Sequence, residues 1–141
     1  SCMDVADEHA NAKFFGDPSA SRGQTAFPQA RVLGLVECGT HVVAAAQIAP
    51  YGHSEQAMAA TLLPAKLKAD MLVLADRNFY GFKLWQTAHA SGAKLAWRIK
   101  SNLKVPIEQV LPDGSYLSTV FDSTDKRRSV GQVVRVVDYA V

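Results

Sequence analysis

Residues 71–80 read MLVLADRNFY, and this stretch limits the possible folds more than any other. Met71, Leu72, Val73 and Leu74 are apolar without alternation, the pattern of a strand buried on both faces. After Ala75 the run stops on Asp76, followed by Arg77, Asn78 and two aromatics, and Gly81 opens a helix-like stretch. Asp76 is therefore expected at the carboxyl end of a central strand, beside the strand that holds Val5. Ligands and chemistry collect at the carboxyl ends of strands in open α/β sheets. An Asp here would also suit a turn or the cap of the next helix. Capping alone does not explain the basic tract that follows.

That tract runs from Arg77 to Ile107. It carries Arg77, Lys83, Lys94, Arg98, Lys100 and Lys104 and no Asp or Glu, whereas Asp4, Asp7, Glu8 and Asp17 crowd the start. A net charge of +2 is too small to prove a nucleic-acid partner. The uneven distribution points to one positive surface near Asp76. Residues 94–100, KLAWRIK, alternate cleanly. Leu95, Trp97 and Ile99 fall on one side of a strand, and Lys94, Ala96, Arg98 and Lys100 on the other. Alternate residues of a strand stand about 7 Å apart, close to the phosphate spacing of duplex DNA. Such a row can follow a backbone without reading bases.

The remaining chain supports an α/β reading. At 141 residues it fits one domain with a sizeable core. Residues 1–6 read as a short strand, and Ala6 to Gln29 as a long loop with a helical turn near Asn11 to Phe15. Arg31 to Glu37, a turn at Cys38-Gly39 and Thr40 to Ala49 read as a hairpin. Ser54 is a candidate N-cap for a helix carrying Met58, Leu62 and Leu63, which Pro64 should end or kink. Phe82, Leu84, Trp85 and Ala88 make an amphipathic helix with Gly92 as its stop. After residue 104 the chain turns to short β pieces at 115–121 and 131–141. Residues 1–104 are thus expected to form the main α/β unit and 105–141 an appended β-rich segment.

Other chemistries find little support. Cys2 and Cys38 form no CxxC pair and read as reduced thiols in a cytosolic protein. His9, His41, His53 and His89 are scattered, with no HxxxH pair. No GxSxG, Walker or GxGxxG motif occurs. Trp85 and Trp97 sit at apolar positions suited to core packing. Lys126-Arg127-Arg128 forms a basic tip that suits a solvated turn as well as a DNA contact. No apolar run approaches the roughly 20 residues that span a bilayer, and the acidic start does not read as a signal peptide. Ser1 to Val5 reads as a strand interior and Val133 to Val141 stops in mid-strand, so both ends are expected to be cut.

The chain resembles the catalytic core of DDE transposases of bacterial insertion-sequence family four. The resemblance is carried by Asn11 to Gly16, Ser21-Arg22-Gly23, Phe27-Pro28-Gln29-Ala30-Arg31, Val36 to His41 (VECGTH), Pro50-Tyr51, Leu72 to Phe79 (LVLADRNF), Trp97-Arg98-Ile99-Lys100, Leu111 to Tyr116 and Val134-Arg135-Val136. LADR-x-F and CGTH are its more specific parts. Asn78 stands where the family has Gly, and Asn tolerates left-handed backbone.

The resemblance implies a ribonuclease-H-like fold: a mixed sheet with flanking helices and a β-rich insertion. It also implies three metal-binding acids, of which Asp76 matches the second. Ser1-Cys2-Met3 match the Thr-Thr-Leu that follows the first acid, which places that acid just upstream of Ser1. Asp4, at an odd offset, points to the opposite face. The third acid's Tyr-x2-Arg-x3-Glu pattern is absent. The implied activity of the parent is cleavage and joining of double-stranded DNA with Mg2+ or Mn2+, in a cytoplasmic homodimer. Arg77, Lys94, Arg98, Lys100 and Lys104 are the expected DNA contacts. The chain alone is expected to be inactive. A non-catalytic nucleic-acid-binding domain of the same fold, a decayed relic, is the alternative. A third is an α/β domain whose Asp76 is only a cap.

Overall fold

The computed structural model describes residues 1–16 and 27–139, together with the backbone of 19–20 and 23–24. Of the stretches named above, parts of Ser21-Arg22-Gly23 and of the 6–29 loop lie outside the described residues, as do the last two residues. The elements in order are β1 (Cys2–Asp4), α1 (His9–Phe15), β2 (Ser19–Ala20), β3 (Gly23–Gln24), β4 (Gln29–Val36), β5 (Val43–Pro50), α2 (Glu55–Lys66), β6 (Leu72–Ala75), α3 (Phe82–His89), β7 (Lys94–Trp97), β8 (Gln109–Val110), β9 (Tyr116–Phe121) and β10 (Gly131–Val136). The class is mixed α/β.

The strands form separate sheets rather than one. β1, β4 and β5 make an antiparallel sheet in the order β1-β4-β5, and β6 pairs in parallel with β7 alone. A meander ordered β10-β9-β8 stands apart from both, and β2 pairs with β3. The β4–β5 hairpin follows the sequence expectation, with Arg31 opposite Ala49 and Leu33 opposite Gln47. Its turn is fixed by Glu37, whose carboxylate accepts from the Gly39 and Thr40 N–H groups and the Thr40 hydroxyl.

Helices α2 and α3 pack together and tie the two main sheets to one core. Ser54 caps α2, its hydroxyl accepting from Ala57 N at 3.0 Å, a contact worth about 1 kcal/mol. Met58, Ala59 and Leu63 from α2 and Leu84 and Ala88 from α3 are buried with Leu33, Ala49, Leu67, Val73 and Ala93. Pro64 does not end α2, which continues to Lys66. The proline removes one N–H, but the Leu67 N–H still reaches Leu63 O at 2.9 Å and closes the last turn. Gly92 follows α3 with φ +84°, and a Cβ there would meet Ala69 Cβ at 3.0 Å. Both facts restrict the position to glycine.

Two expectations for the 71–75 strand need correction. Val73 is buried, but Leu72 and Leu74 are 65% and 60% exposed, so β6 buries one face. It is also not central: among the described residues its only strand partner is β7, and β1 pairs with β4 instead. Successive side chains point to opposite faces, and α2 and α3 cover only the Val73 face. The same division leaves Ile48 59% exposed. A third correction concerns KLAWRIK: β7 ends at Trp97, although the alternation of more and less exposed side chains persists through Lys100.

Candidate functional site

Asp76 is the first residue beyond β6, at its carboxyl end, as expected. The turn after it is fixed by backbone: Phe79 N donates to Asp76 O at 2.9 Å. From the side, Gln56 Nε2 of α2 donates to Asn78 O at 2.7 Å. Nothing in the sequence singled out Gln56 for this role. The Asp76 side chain is exposed and makes no hydrogen bond or ion pair with a described residue. Helix α3 has Gly81, not Asp76, at its N-cap. The carboxylate is therefore not a cap, and it remains available.

The parallel register decides which cations stand near it. Ala75 lies opposite Trp97, and Arg98 N donates to Ala75 O at 2.9 Å, so Arg98 flanks Asp76. Arg77 follows in the turn. Lys94 is opposite Leu72, at the other end of the strand pair, about 13 Å along the chain from Arg98 at a strand's rise. Lys100 and Lys104 belong to the irregular segment after β7. The structure thus brings Arg77 and Arg98 to Asp76, sets Lys94 apart and leaves Lys100 and Lys104 on the following loop. Lys94, Arg98 and Lys100 do not share one continuous strand. None of these five side chains forms an ion pair among the described residues. The ion pairs there are Ser1 ammonium with Glu55, Arg31 with Glu55 and Arg135 with Asp113.

Trp85 and Trp97 pack edge to face beneath this end of the sheet, ring centres 5.2 Å apart, as the core-packing expectation required. Their indole N–H groups are buried without a partner among the described residues. Tyr80, beside Trp85, has its phenol pushed above the ordinary range by burial. The basic tip Lys126-Arg127-Arg128 lies in the turn region between β9 and β10, with Arg128 over the Phe121 ring. Both cysteines are free and exposed.

A magnesium ion takes carboxylate and substrate oxygens in an octahedral shell. The described residues do not fit such a centre by themselves, since Asp76 is a lone carboxylate and no group of three His, Cys, Asp or Glu residues converges among them. No described helix is long and apolar enough to cross a membrane.

Comparison with known proteins gives one informative likeness. Over 99 residues, 70% of this chain, the sequence is 27% identical to a protein of Escherichia coli (strain K12) described as "Putative transposase InsZ". The chain spans about a third of that relative's length, 33%. No family model matches the chain, and no solved structure matches it. The chain is thus similar to a transposase over most of its length.

Proposed function

We propose that this chain is part of the nuclease core of a DNA transposase of the DDE type, insertion-sequence family four, with a ribonuclease-H-like fold. In this reading Asp76 is one of the acids of the intact protein. Cleavage and joining of double-stranded DNA, Mg2+ or Mn2+, and assembly as a homodimer belong to that parent. The observation that carries the reading is an exposed, unpaired carboxylate at a strand's carboxyl end with Arg77 and Arg98 beside it. Cations that pair with no acid of their own fold are free to meet phosphate. Similarity to a transposase supports the same assignment. Because a single acid stands here, the chain alone is inactive in this reading.

A second reading is favoured by that same lone carboxylate: a domain of this kind that binds nucleic acid and has lost its chemistry. One pair of variants of the parent separates the two. Asp76→Asn keeps shape and removes charge. Under the first reading it abolishes strand cleavage and leaves duplex binding in place; unchanged cleavage removes Asp76 from the reaction. The double change Arg98→Ala with Lys100→Ala tests the shared element. It is expected to weaken binding to duplex of any sequence and to lower the salt slope by about two at most. An unchanged affinity and slope would exclude these residues from the DNA path.

A further inference from the structure

One peptide unit ties the turn that carries Asp76 to helix α2. The carbonyl of Asn78 accepts from Gln56 Nε2 at 2.7 Å, at the short end of the N–H···O range. The N–H of the same unit, that of Phe79, donates to Asp76 O at 2.9 Å. A trans peptide is planar, so its C=O and N–H point in opposite directions in one plane. Holding the carbonyl therefore aims the N–H. Two hydrogen bonds joined through one amide also polarise each other. A continuous relay thus runs from the Gln56 amide through the 78–79 peptide to the backbone of Asp76. Among the described residues, it is the only side-chain hydrogen bond that reaches residues 76–80.

The Gln56 end of the relay is firmly built. Gln56 lies in the first turn of α2, which Ser54 caps through Ala57 N at 3.0 Å, and the next turn buries Met58 and Ala59. Its Oε1 stands 3.6 Å from where a Cβ at Gly81 would be, so the same amide also lies against the N-cap of α3. The Asp76 end is open. β7 holds the chain just before it, through Arg98 N and Ala75 O. Beyond it, an open cleft of about 430 Å3 is lined by Arg31, the 52–56 segment and Asn78. Asn78 is exposed, so the path of the turn there depends on its backbone bonds. We infer that Gln56 is a positioning residue: through the 78–79 peptide it sets the direction in which Asp76 presents its carboxylate. This rests on the reading of Asp76 as an acid of the reaction. A reacting group displaced by about 1 Å can lose about 100-fold in rate, and sites keep their geometry through the residues that support them.

The test uses two variants that lack the donor and keep good helix propensity. Gln56→Met keeps the length without a charge. Gln56→Glu keeps the shape and, ionised, has nothing to donate. In the 141-residue chain, amide exchange at Phe79 is expected to quicken about ten-fold or more in both, while Ala57, under the Ser54 cap, is unchanged. In the parent, both variants are expected to lower the cleavage rate at saturating DNA by about 10–100-fold and to leave KM for the duplex in place. Unchanged exchange at Phe79 would overturn the relay. Full cleavage in both variants, beside its loss in Asp76→Asn, would overturn the positioning role and leave Asp76 in the reaction. Full cleavage in Asp76→Asn would overturn the reading of Asp76 and this inference with it. A loss in one Gln56 variant alone would assign the effect to charge or bulk and count against the donor. So would a rise in KM that accounts for the whole loss, because the contact would then serve binding and not the carboxylate.

Discussion

Residues 1–104 and the meander that follows are held together by different physics. All ten residues of the main core belong to the first region. In the meander, β8 to β10, the buried side chains among those described are Val120, Ser115 and Ser118. Carboxylates take the place of a core there. Asp113 accepts from the Ser115 hydroxyl and pairs with Arg135. Glu108 accepts from Thr119 N and its hydroxyl. Asp125 accepts from the N–H groups of Arg127, Ser129 and Val130. A region fixed by burial resists salt and acid; one fixed by carboxylate clamps depends on both.

The largest expected effect is in the core. Met58 is 2% exposed, and Met58→Ala should cost about 2–5 kcal/mol. Both tryptophans belong to this region, so fluorescence in a urea titration reads it directly. Amide protection along β9 and β10 reads the other. If protection at the meander falls by the same amount as the fluorescence midpoint implies, the regions unfold as one unit and the contrast drawn here fails.

The reciprocal change is Gly131→Ala. A Cβ at Gly131 would stand 2.5 Å from Thr119 Cγ2 and 2.7 Å from Phe121 Cε1, closer than atoms tolerate, on the strand directly opposite. The misfit should cost about 1–3 kcal/mol. Exchange along β9 and β10 should quicken while the tryptophan midpoint stays in place. A matching shift in that midpoint would show that the meander supports the core.

The sequence was most legible where a pattern depends on near neighbours. The hairpin at 31–49, the Ser54 cap, the helix before Gly92 and Asp76 at the end of its strand all stand where their spacing placed them. It misled where the outcome depends on what lies across the sheet. Four apolar residues at 71–74 suit a strand with two covered faces, and pattern alone does not say which element covers the second. Pro64 reads as a stop or a kink because the lost N–H is local, and it does not stop α2, because the burial of Leu63 and Leu67 that sustains the last turn is not local. KLAWRIK alternates beyond Trp97, but a strand ends where its partner does, and β6 stops at Ala75. The apolar groove lined by Leu33 to Leu35 and by Val73 to Asp76 had no signal in the sequence, because its walls are about 40 residues apart and neither Leu35 nor Leu74 differs in pattern from an ordinary core leucine.

Acid should separate the two regions with the mildest perturbation. The Ser115 hydroxyl, with help from Arg135, holds the Asp113 carboxyl below the ordinary range. The Thr124 N–H and hydroxyl do so for Asp122, and the Ser129 hydroxyl and backbone N–H groups for Asp125. In the first region Glu37 is lowered in the same sense, by Thr40 first and then by the Gly39 and Thr40 N–H groups. A carboxyl whose folded value lies below its unfolded one contributes stability that is fully present above the unfolded value. That stability is lost as the pH falls through the folded one. The window therefore opens near pH 4, about where free carboxyls titrate, and extends downward. Amide protection in β9 and β10 should decline across it before the tryptophan signal moves. Asp125→Asn keeps one oxygen, enough to accept from Ser129 and Val130 but not also from Arg127 N, and it does not titrate, so it should destabilise the meander at neutral pH, remove the Asp125 share of its acid limb and leave the core unaffected. Should the fluorescence transition instead precede loss of protection in β9 and β10, the clamps would not be what acid breaks first, and Glu37 at the β4–β5 turn would be the group to change next.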